Sequence, residues 1–266
     1  MTRVLRALRI VAALFGCALL ATQAIASVNN GRISGVAPWV TSPGGAPCNF
    51  SFAVDWFADD NANVITLQHT IRVNAAAGSA AITNAELTNW KNRIEGRWNT
   101  NSVYIVATDP DGVVTNWTVR YNVTFSTTVA SSDYTVTIHD GSGGSNTSDW
   151  YRSTGGGYAG VNDNTSQVPA HETGHFLANS DEYTDGGCIV PGNPFNALSN
   201  TTVSLMNGVG NTQSLFSRHY HLWWSSMVAF DNAKHFGNTY SLAPEPAAFS
   251  IAFYAVVFAT RRRRAA

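Results

Sequence analysis

Charge is scarce in this chain of 266 residues. Charged residues make up 12% of it, about half the share usual in soluble proteins, and lysine occurs only at Lys91 and Lys234. Disorder is not indicated, because 44% of the residues are hydrophobic and can form a sizeable core. The formal net charge of −1 and the lack of a basic stripe exclude a typical nucleic-acid-binding protein. A phosphate-binding glycine-rich motif and internal repeats are also absent from the sequence.

The basic residues that do occur are concentrated at the two ends. Residues 1–26 combine a basic start, an apolar run and an A-x-A cleavage pattern ending at Ala26. These three parts in this order predict a secretory signal peptide. When residues 1–26 and the C-terminal arginine cluster are left out, acidic residues outnumber basic ones. The predicted mature chain is therefore acidic and suited to solubility outside the cell.

The C-terminal segment 241–266 carries a second targeting pattern. It contains a P-E-P triplet starting at Pro244, an apolar stretch and a cluster of four arginines. This tail resembles the PEP-CTERM sorting signal of exported bacterial proteins. The resemblance implies processing by an exosortase in the inner membrane, transient membrane association through both termini, and a secreted or cell-surface product. A permanent C-terminal anchor is the alternative.

Cysteine is rare, with only three in the chain. If Cys17 leaves with the signal peptide, Cys48 and Cys188 remain as an even pair in an oxidising compartment, where a disulfide is the default expectation. The alternative is that Cys48 caps a catalytic metal as a latency switch.

Between the ends, residues 27–48 are rich in Gly, Pro, Ser and Asn and predict an irregular lead-in. Residues 49–240 predict one α+β domain. Its pattern runs from a strand at 64–73, through a helix opened by a capping box at Thr83, to further strands, a long loop and helices. His69 lies on the same face of the first strand as the alternating apolar residues and is interpreted as a core histidine.

The most informative stretch is H-E-T-G-H at residues 171–175. On a helix, His171 and His175 project from one face, so both imidazoles can share one Zn²⁺ ion. Glu172, next to the first ligand, is placed to act as the general base toward a water activated by the metal. Solvated helix histidines are the alternative interpretation.

Extended to Asp181, this stretch resembles the metzincin zinc-peptidase motif H-E-x-x-H-x-x-G-x-x-H/D, and it is most similar to the snapalysin-like branch, whose third ligand is Asp. The resemblance implies Asp181 as the third metal ligand. It also implies an active-site helix, a twisted, mostly parallel sheet and a C-terminal helix. The segment around Met206 is similar to the methionine turn of the family, with Met206 as a hydrophobic floor beneath the zinc.

One residue departs from that pattern. The turning Gly of the family is Ala178 here, and Gly occurs there because the turn needs an unusual backbone conformation. Asn179 tolerates the left-handed region better than most residues, so a turn shifted by one residue is an alternative. That shift leaves Glu182 as a rival to Asp181 for the third ligand.

These patterns predict an exported zinc-dependent metalloendopeptidase that acts on a protein or peptide substrate. The alternative is a non-catalytic surface or matrix protein with a structural or vestigial zinc site. Ca²⁺ is a weaker expectation, since the loop at 140–149 has suitable oxygens without calcium-loop spacing. His219 and His221 are candidates for a distant metal ligand. One polar group of the last helix is a candidate for stabilising the oxyanion of the transition state, from among Arg218, His219, Tyr220 and His221.

Overall fold

The computed structural model describes residues 29–37, 48, 50–99, 104–128, 132–182, 204–208 and 214–242. Within them one sheet packs against three α-helices. The strands are β1 (Asn30–Ala37), β2 (Phe50–Asp59), β3 (Val64–Ala75), β4 (Tyr104–Thr108), β5 (Val114–Ser126), β6 (Tyr134–His139), β7 (Asp149–Tyr151) and β8 (Thr239–Leu242). The helices are α1 (Asn84–Trp98), α2 (Val168–Phe176) and α3 (His221–Lys234), with short 3-10 helices at Leu205–Asn207 and Ser217–Tyr220.

The sheet is mixed, with strand order β1-β2-β3-β5-β4-β8. The far half of β3 also pairs with β6, and β7 continues the sheet from β6. The β1–β2, β2–β3, β4–β5 and β4–β8 pairs are antiparallel, whereas β3–β5, β3–β6 and β6–β7 are parallel. The prediction of a mostly parallel sheet is therefore wrong. The described chain is a mixed α/β fold with a curled, mostly antiparallel sheet.

Short connections explain two of the antiparallel pairs, β2–β3 and β4–β5. Only residues 60–63 separate β2 from β3, and only 109–113 separate β4 from β5. The second turn is closed by Asp109, whose carbonyl accepts from the Gly112 N–H at 3.0 Å and whose Oδ1 accepts from the Val113 N–H at 2.8 Å. A parallel connection needs a crossover of about a dozen residues or more, so these strands can only pair as hairpins.

The predicted irregular lead-in, 27–48, contains strand β1. Two of its glycines lie under aromatic rings of β2: a Cβ on Gly31 would meet the Trp56 indole at 2.7 Å, and one on Gly35 would meet the Phe52 ring at 3.0 Å. The glycines that suggested an irregular segment are required by packing. At both positions an aromatic ring of β2 fills the space that a larger side chain would need. The expectation of an irregular segment is wrong for residues 30–37.

Helix α1 begins as predicted. The Thr83 hydroxyl accepts from the Glu86 N–H at 3.2 Å, and the Glu86 carboxylate accepts from the Thr83 N–H at 2.9 Å. Its fully buried face carries Trp90, Ile94 and Trp98. Burying each such side chain contributes about 1.5–3 kcal/mol. The helix thereby brings Trp98 to the position where helix α2 begins.

His69 is a satisfied core histidine, as predicted. It is fully buried, with Nε2 3.0 Å from the Ala53 carbonyl and Nδ1 2.7 Å from the Tyr121 hydroxyl. A carbonyl can only accept, so Nε2 carries the proton and the hydroxyl donates to Nδ1. Burial lowers the pKa of His69 to about 4.

The two predicted targeting segments, 1–26 and most of 241–266, lie outside the described residues. Strand β8 pairs with β4 through Leu242, so the sheet continues two residues beyond the predicted domain boundary at 240. In the part of the chain that is described, no helix is both long and apolar enough to cross a membrane.

Candidate metal centre

Helix α2 carries the two candidate histidine ligands. Pro169, which lacks an N–H, lies in its first turn, where helix N–H groups have no partner within the helix. The Trp98 indole of α1 donates to the Ala170 carbonyl at 3.0 Å and fixes this end of the helix. One turn apart, His171 and His175 are both buried, with ring centroids 5.1 Å apart. The predicted helix and the shared face of the two rings are confirmed.

The chain turns back directly after α2 through Ala178. This residue has φ 58°, in the left-handed region. Its N–H donates to the His175 carbonyl at 2.8 Å, and the Asn179 N–H donates to the Gly174 carbonyl at 3.0 Å. This is the Schellman arrangement at a helix end, which is usually made with glycine. The turn is therefore at Ala178, and the alternative of a shift to Asn179 is wrong.

The turn brings Asp181 back onto the two histidines. Asp181 Oδ1 lies 3.3 Å from Nε2 of His171 and 3.3 Å from Nε2 of His175. One ligand atom from each residue lies within 4.8 Å of the others. Metal bonds of about 2.0–2.2 Å in a tetrahedral site separate neighbouring ligand atoms by about 3.4 Å. The two nitrogen–oxygen distances are close to this value, and this buried group can bind a metal ion.

Backbone carbonyls orient both imidazoles. His171 Nδ1 lies 2.7 Å from the Leu205 carbonyl, and His175 Nδ1 lies 2.8 Å from the Asn179 carbonyl. Because a carbonyl only accepts, each Nδ1 carries a proton, and Nε2, which faces Asp181, is the nitrogen that can bind a metal once it is deprotonated. Histidine ligands of metals are held in this way, with the second nitrogen donating to a fixed acceptor.

No protein-family model, curated protein or solved structure matches the chain. The chemistry of the site therefore follows from its own residues.

Charge is concentrated in the cluster. Burial opposes a charge on His175, but the Asp181 carboxylate beside it raises its pKa to about 9. Burial likewise opposes the charge of Asp181, yet the two histidines hold its pKa well below the ordinary value. Burial raises the pKa of Glu172, which is also inside the protein. Two buried carboxylates beside two imidazoles make a site that favours an added positive charge.

Met206 lies against the same helix. It is fully buried in the 3-10 helix Leu205–Asn207. A Cβ added to Gly174 would come within 2.5 Å of its sulfur, so Gly174 leaves the space that this sulfur fills beside His175. Met206 therefore packs against helix α2 at Gly174, and its role as a hydrophobic floor beneath a metal stays a prediction.

Glu182, the rival third ligand, is directed elsewhere. Its carboxylate accepts from Arg218 Nε at 2.6 Å and Nη2 at 2.9 Å, and His219 Nε2 lies 3.0 Å from Oε1. Burial opposes its charge, but Arg218 and His219 lower the pKa of Glu182 to about 2. The structure brings Asp181, and not Glu182, to the two histidines. Of the described residues, His219 and His221 are likewise not members of the metal-binding group.

Two other predicted sites are settled only in part. Cys48 is disulfide-bonded and so has no thiolate for a metal, which excludes the latency-switch alternative. Cys188 lies outside the described residues, and the Cys48–Cys188 pairing stays a prediction.

In the loop considered for Ca²⁺, Asp140 pairs with Arg152 and Asp149 with His139, so nothing in the described chain supports calcium there.

Proposed function

We propose that the protein is an exported zinc-dependent metalloendopeptidase. One observation carries this proposal: the Nε2 atoms of His171 and His175 each lie 3.3 Å from Asp181 Oδ1 in a buried cluster, and Glu172 lies on the same helix as the histidines. Three protein ligands are typical of catalytic zinc sites, whereas structural sites usually have four.

The donor set favours zinc. Two imidazole nitrogens and one carboxylate oxygen suit Zn²⁺ better than Ca²⁺ or Mg²⁺, which take six or more oxygen ligands. A zinc ion held by His171, His175 and Asp181 would polarise a substrate carbonyl and make water more acidic.

Glu172 is the residue proposed to move the proton. It follows His171 directly on α2, and no other residue in the described part of the chain hydrogen-bonds to its carboxylate. It is therefore available to accept a proton from the attacking water and to pass that proton to the leaving amine nitrogen. General-base assistance of this kind contributes about 10²–10⁴-fold to a rate.

The non-catalytic alternative draws on a different observation. His171, Glu172 and Asp181 are exposed by only 3%, 5% and 4%, and burial of this degree is also expected of a structural metal site. The two functions differ in what Glu172 does, because a structural site does not need an adjacent free carboxylate.

Replacing Glu172 by Gln separates the two functions. In the proposed peptidase, Glu172→Gln keeps one zinc per chain and loses casein cleavage by at least about 100-fold. Equal cleavage by both proteins would contradict the proposed mechanism. Zinc binding by a wild-type chain that cleaves neither casein nor a peptide panel would favour the structural site, and cleavage of a non-peptide bond alone would contradict the peptidase assignment.

Export is proposed from the two terminal patterns, with an exosortase-type enzyme as the processing partner. Mass spectrometry of the protein released by the cells is expected to find a chain lacking residues 1–26 and the apolar tail that follows the P-E-P triplet. Recovery of an intact tail in the membrane fraction would instead indicate a permanent anchor.

A further inference from the structure

Arg218 lies outside the candidate metal centre but is connected to the segment that supplies the third ligand. It donates through Nε and Nη2 to the two carboxylate oxygens of Glu182, at 2.6 and 2.9 Å. Glu182 directly follows Asp181, and its own N–H donates to the Met206 carbonyl at 2.9 Å. The residue after the carboxylate ligand is therefore fixed through both its side chain and its backbone.

The neighbour of Arg218 fixes the other flank of Asp181. The His219 carbonyl accepts from Asn179 Nδ2 at 3.1 Å. The Asn179 carbonyl in turn accepts from His175 Nδ1 at 2.8 Å. The 3-10 helix Ser217–Tyr220 thus contacts residues on both sides of Asp181, and one of these contacts continues to a histidine of the cluster.

The same 3-10 helix also approaches the segment that orients the first histidine. Ser204 Oγ lies 3.4 Å from His219 Nε2 and accepts from the Met206 N–H at 3.2 Å. The intervening Leu205 carbonyl accepts from His171 Nδ1 at 2.7 Å. All three candidate ligands are therefore within a few hydrogen bonds of Arg218 and His219.

We propose that Arg218 is a positioning residue of the metal centre, because its two-pronged contact with Glu182 fixes the segment that carries Asp181 and so sets the metal affinity. This inference rests on the metal site of the proposed function. Arginine is suited to the task, since its planar fork matches both oxygens of a carboxylate and holds one orientation, which a lysine does not do.

A second buried arginine–glutamate pair provides a matched control. Arg152, just after β7, donates through Nε to Glu86 of α1 at 2.8 Å. The Arg152 and Arg218 side chains are similarly buried, at 10% and 11% exposure. The contacts described for the Arg152 pair do not include a residue of the metal centre. A purely structural effect of losing such a pair should therefore appear equally in Arg152→Met and Arg218→Met.

The experiment measures Zn²⁺ affinity by competition with a chromophoric chelator, and the absorption spectrum of the Co²⁺-loaded protein, for the full chain and each variant. We expect Arg218→Met to weaken Zn²⁺ binding about 10–100-fold and to change the cobalt spectrum. Arg152→Met should lower the melting temperature of the metal-free protein and leave both metal readouts as in wild type. Glu182→Gln, which keeps the shape of the side chain, should weaken binding in the same direction as Arg218→Met.

Three results would overturn the inference. The first is wild-type Zn²⁺ affinity in Arg218→Met or, if that variant does not fold, in Glu182→Gln. The second is an equal loss of affinity in Arg152→Met. The third is abolished binding in Glu182→Gln with unchanged binding in Arg218→Met, which would make Glu182 a ligand. A wild-type chain that binds no Zn²⁺ would instead contradict the proposed function itself.

Discussion

Two adjacent carboxylates, Asp181 and Glu182, lie in opposite surroundings. Glu182 accepts two hydrogen bonds from Arg218 and lies 3.0 Å from Nε2 of His219. Asp181 lies 3.3 Å from the Nε2 atoms of two histidines whose Nδ1 atoms donate to backbone carbonyls. The carboxylates are buried to a similar extent, so burial does not distinguish them.

The difference lies in what balances the negative charge. An arginine, which is always charged, neutralises Glu182 within the protein. Asp181 faces imidazoles, which are neutral unless they take up protons, so a divalent cation can replace protons as the balancing charge. Glu182, whose charge is neutralised by an arginine, therefore has a structural role. Asp181, whose charge can be balanced by a bound cation, can act as a metal ligand.

The largest expected effect comes from replacing each of these two carboxylates in turn by the corresponding amide. Asp181→Asn should lose zinc, from about one ion per chain to almost none after dialysis, because an amide is a much poorer ligand than a carboxylate. Glu182→Gln should still bind one zinc ion when zinc is in excess. Inductively coupled plasma mass spectrometry of the dialysed and zinc-saturated proteins makes the comparison. Loss of zinc from Glu182→Gln alone would reverse the assignment.

The next largest expected effect is the loss of folding stability when the metal is removed. This loss should occur only in a chain that keeps Asp181. Zinc at about 1,000 times its dissociation constant stabilises the folded chain by about 4 kcal/mol. A chelator should therefore lower the melting temperature of wild type in calorimetry, whereas Asp181→Asn should melt at the same temperature with and without chelator. A chelator effect of equal size in that variant would place the metal elsewhere.

A third buried ionisable group, His69, has neither a metal nor a hydrogen-bonded counter-ion. Its pKa is lowered by burial to about 4, so the unfolded chain takes up a proton below about pH 6.5 while the folded chain does not. Stability should thus fall as pH drops from about 6.5 to 4, by up to about 3 kcal/mol. Asp133 and Arg32 act on His69 in opposite directions.

Urea unfolding at several pH values checks this expectation. His69→Gln should be less stable at neutral pH but should show a smaller loss between pH 6.5 and 4 than wild type. An unchanged pH dependence in that variant would show that the acid sensitivity comes from other groups.

The local elements of the site could be predicted from the sequence, because each depends on neighbours in the chain. The spacing of His171 and His175 and the capping box at Thr83 are fixed by helical geometry over a few residues. The sheet could not be predicted as well. Strand β1 contains Gly31 and Gly35, whose side-chain space is filled by residues about twenty positions away.

The supporting contacts of the site were also beyond prediction. The Leu205 and Asn179 carbonyls that orient the histidines leave no trace in the sequence, since every residue has a carbonyl. Arg218 is visible in the sequence, but its pairing with Glu182 depends on a separation of 36 residues. Contacts between distant segments decide which of two adjacent carboxylates faces the histidines.

The smallest expected effect concerns the turn that separates the two carboxylates from the helix. Ala178 has φ 58°, which costs an L-residue with a Cβ about 1–2 kcal/mol. Part of this cost is offset because glycine loses more backbone entropy on folding. Ala178→Gly should therefore stabilise the chain by about 0.5–1 kcal/mol, measured by urea unfolding of the zinc-free protein, with unchanged zinc affinity.

Ala85→Gly is the matched control, because Ala85 is exposed within helix α1 and has ordinary helical geometry. The same substitution there should destabilise the chain by about 0.5–1 kcal/mol. Opposite signs at the two positions would show that Ala178 is strained where the chain turns from the histidines to Asp181. Destabilisation at both would mean that the turn adopts another backbone conformation, and with it the placement of Asp181 against the histidines would fail.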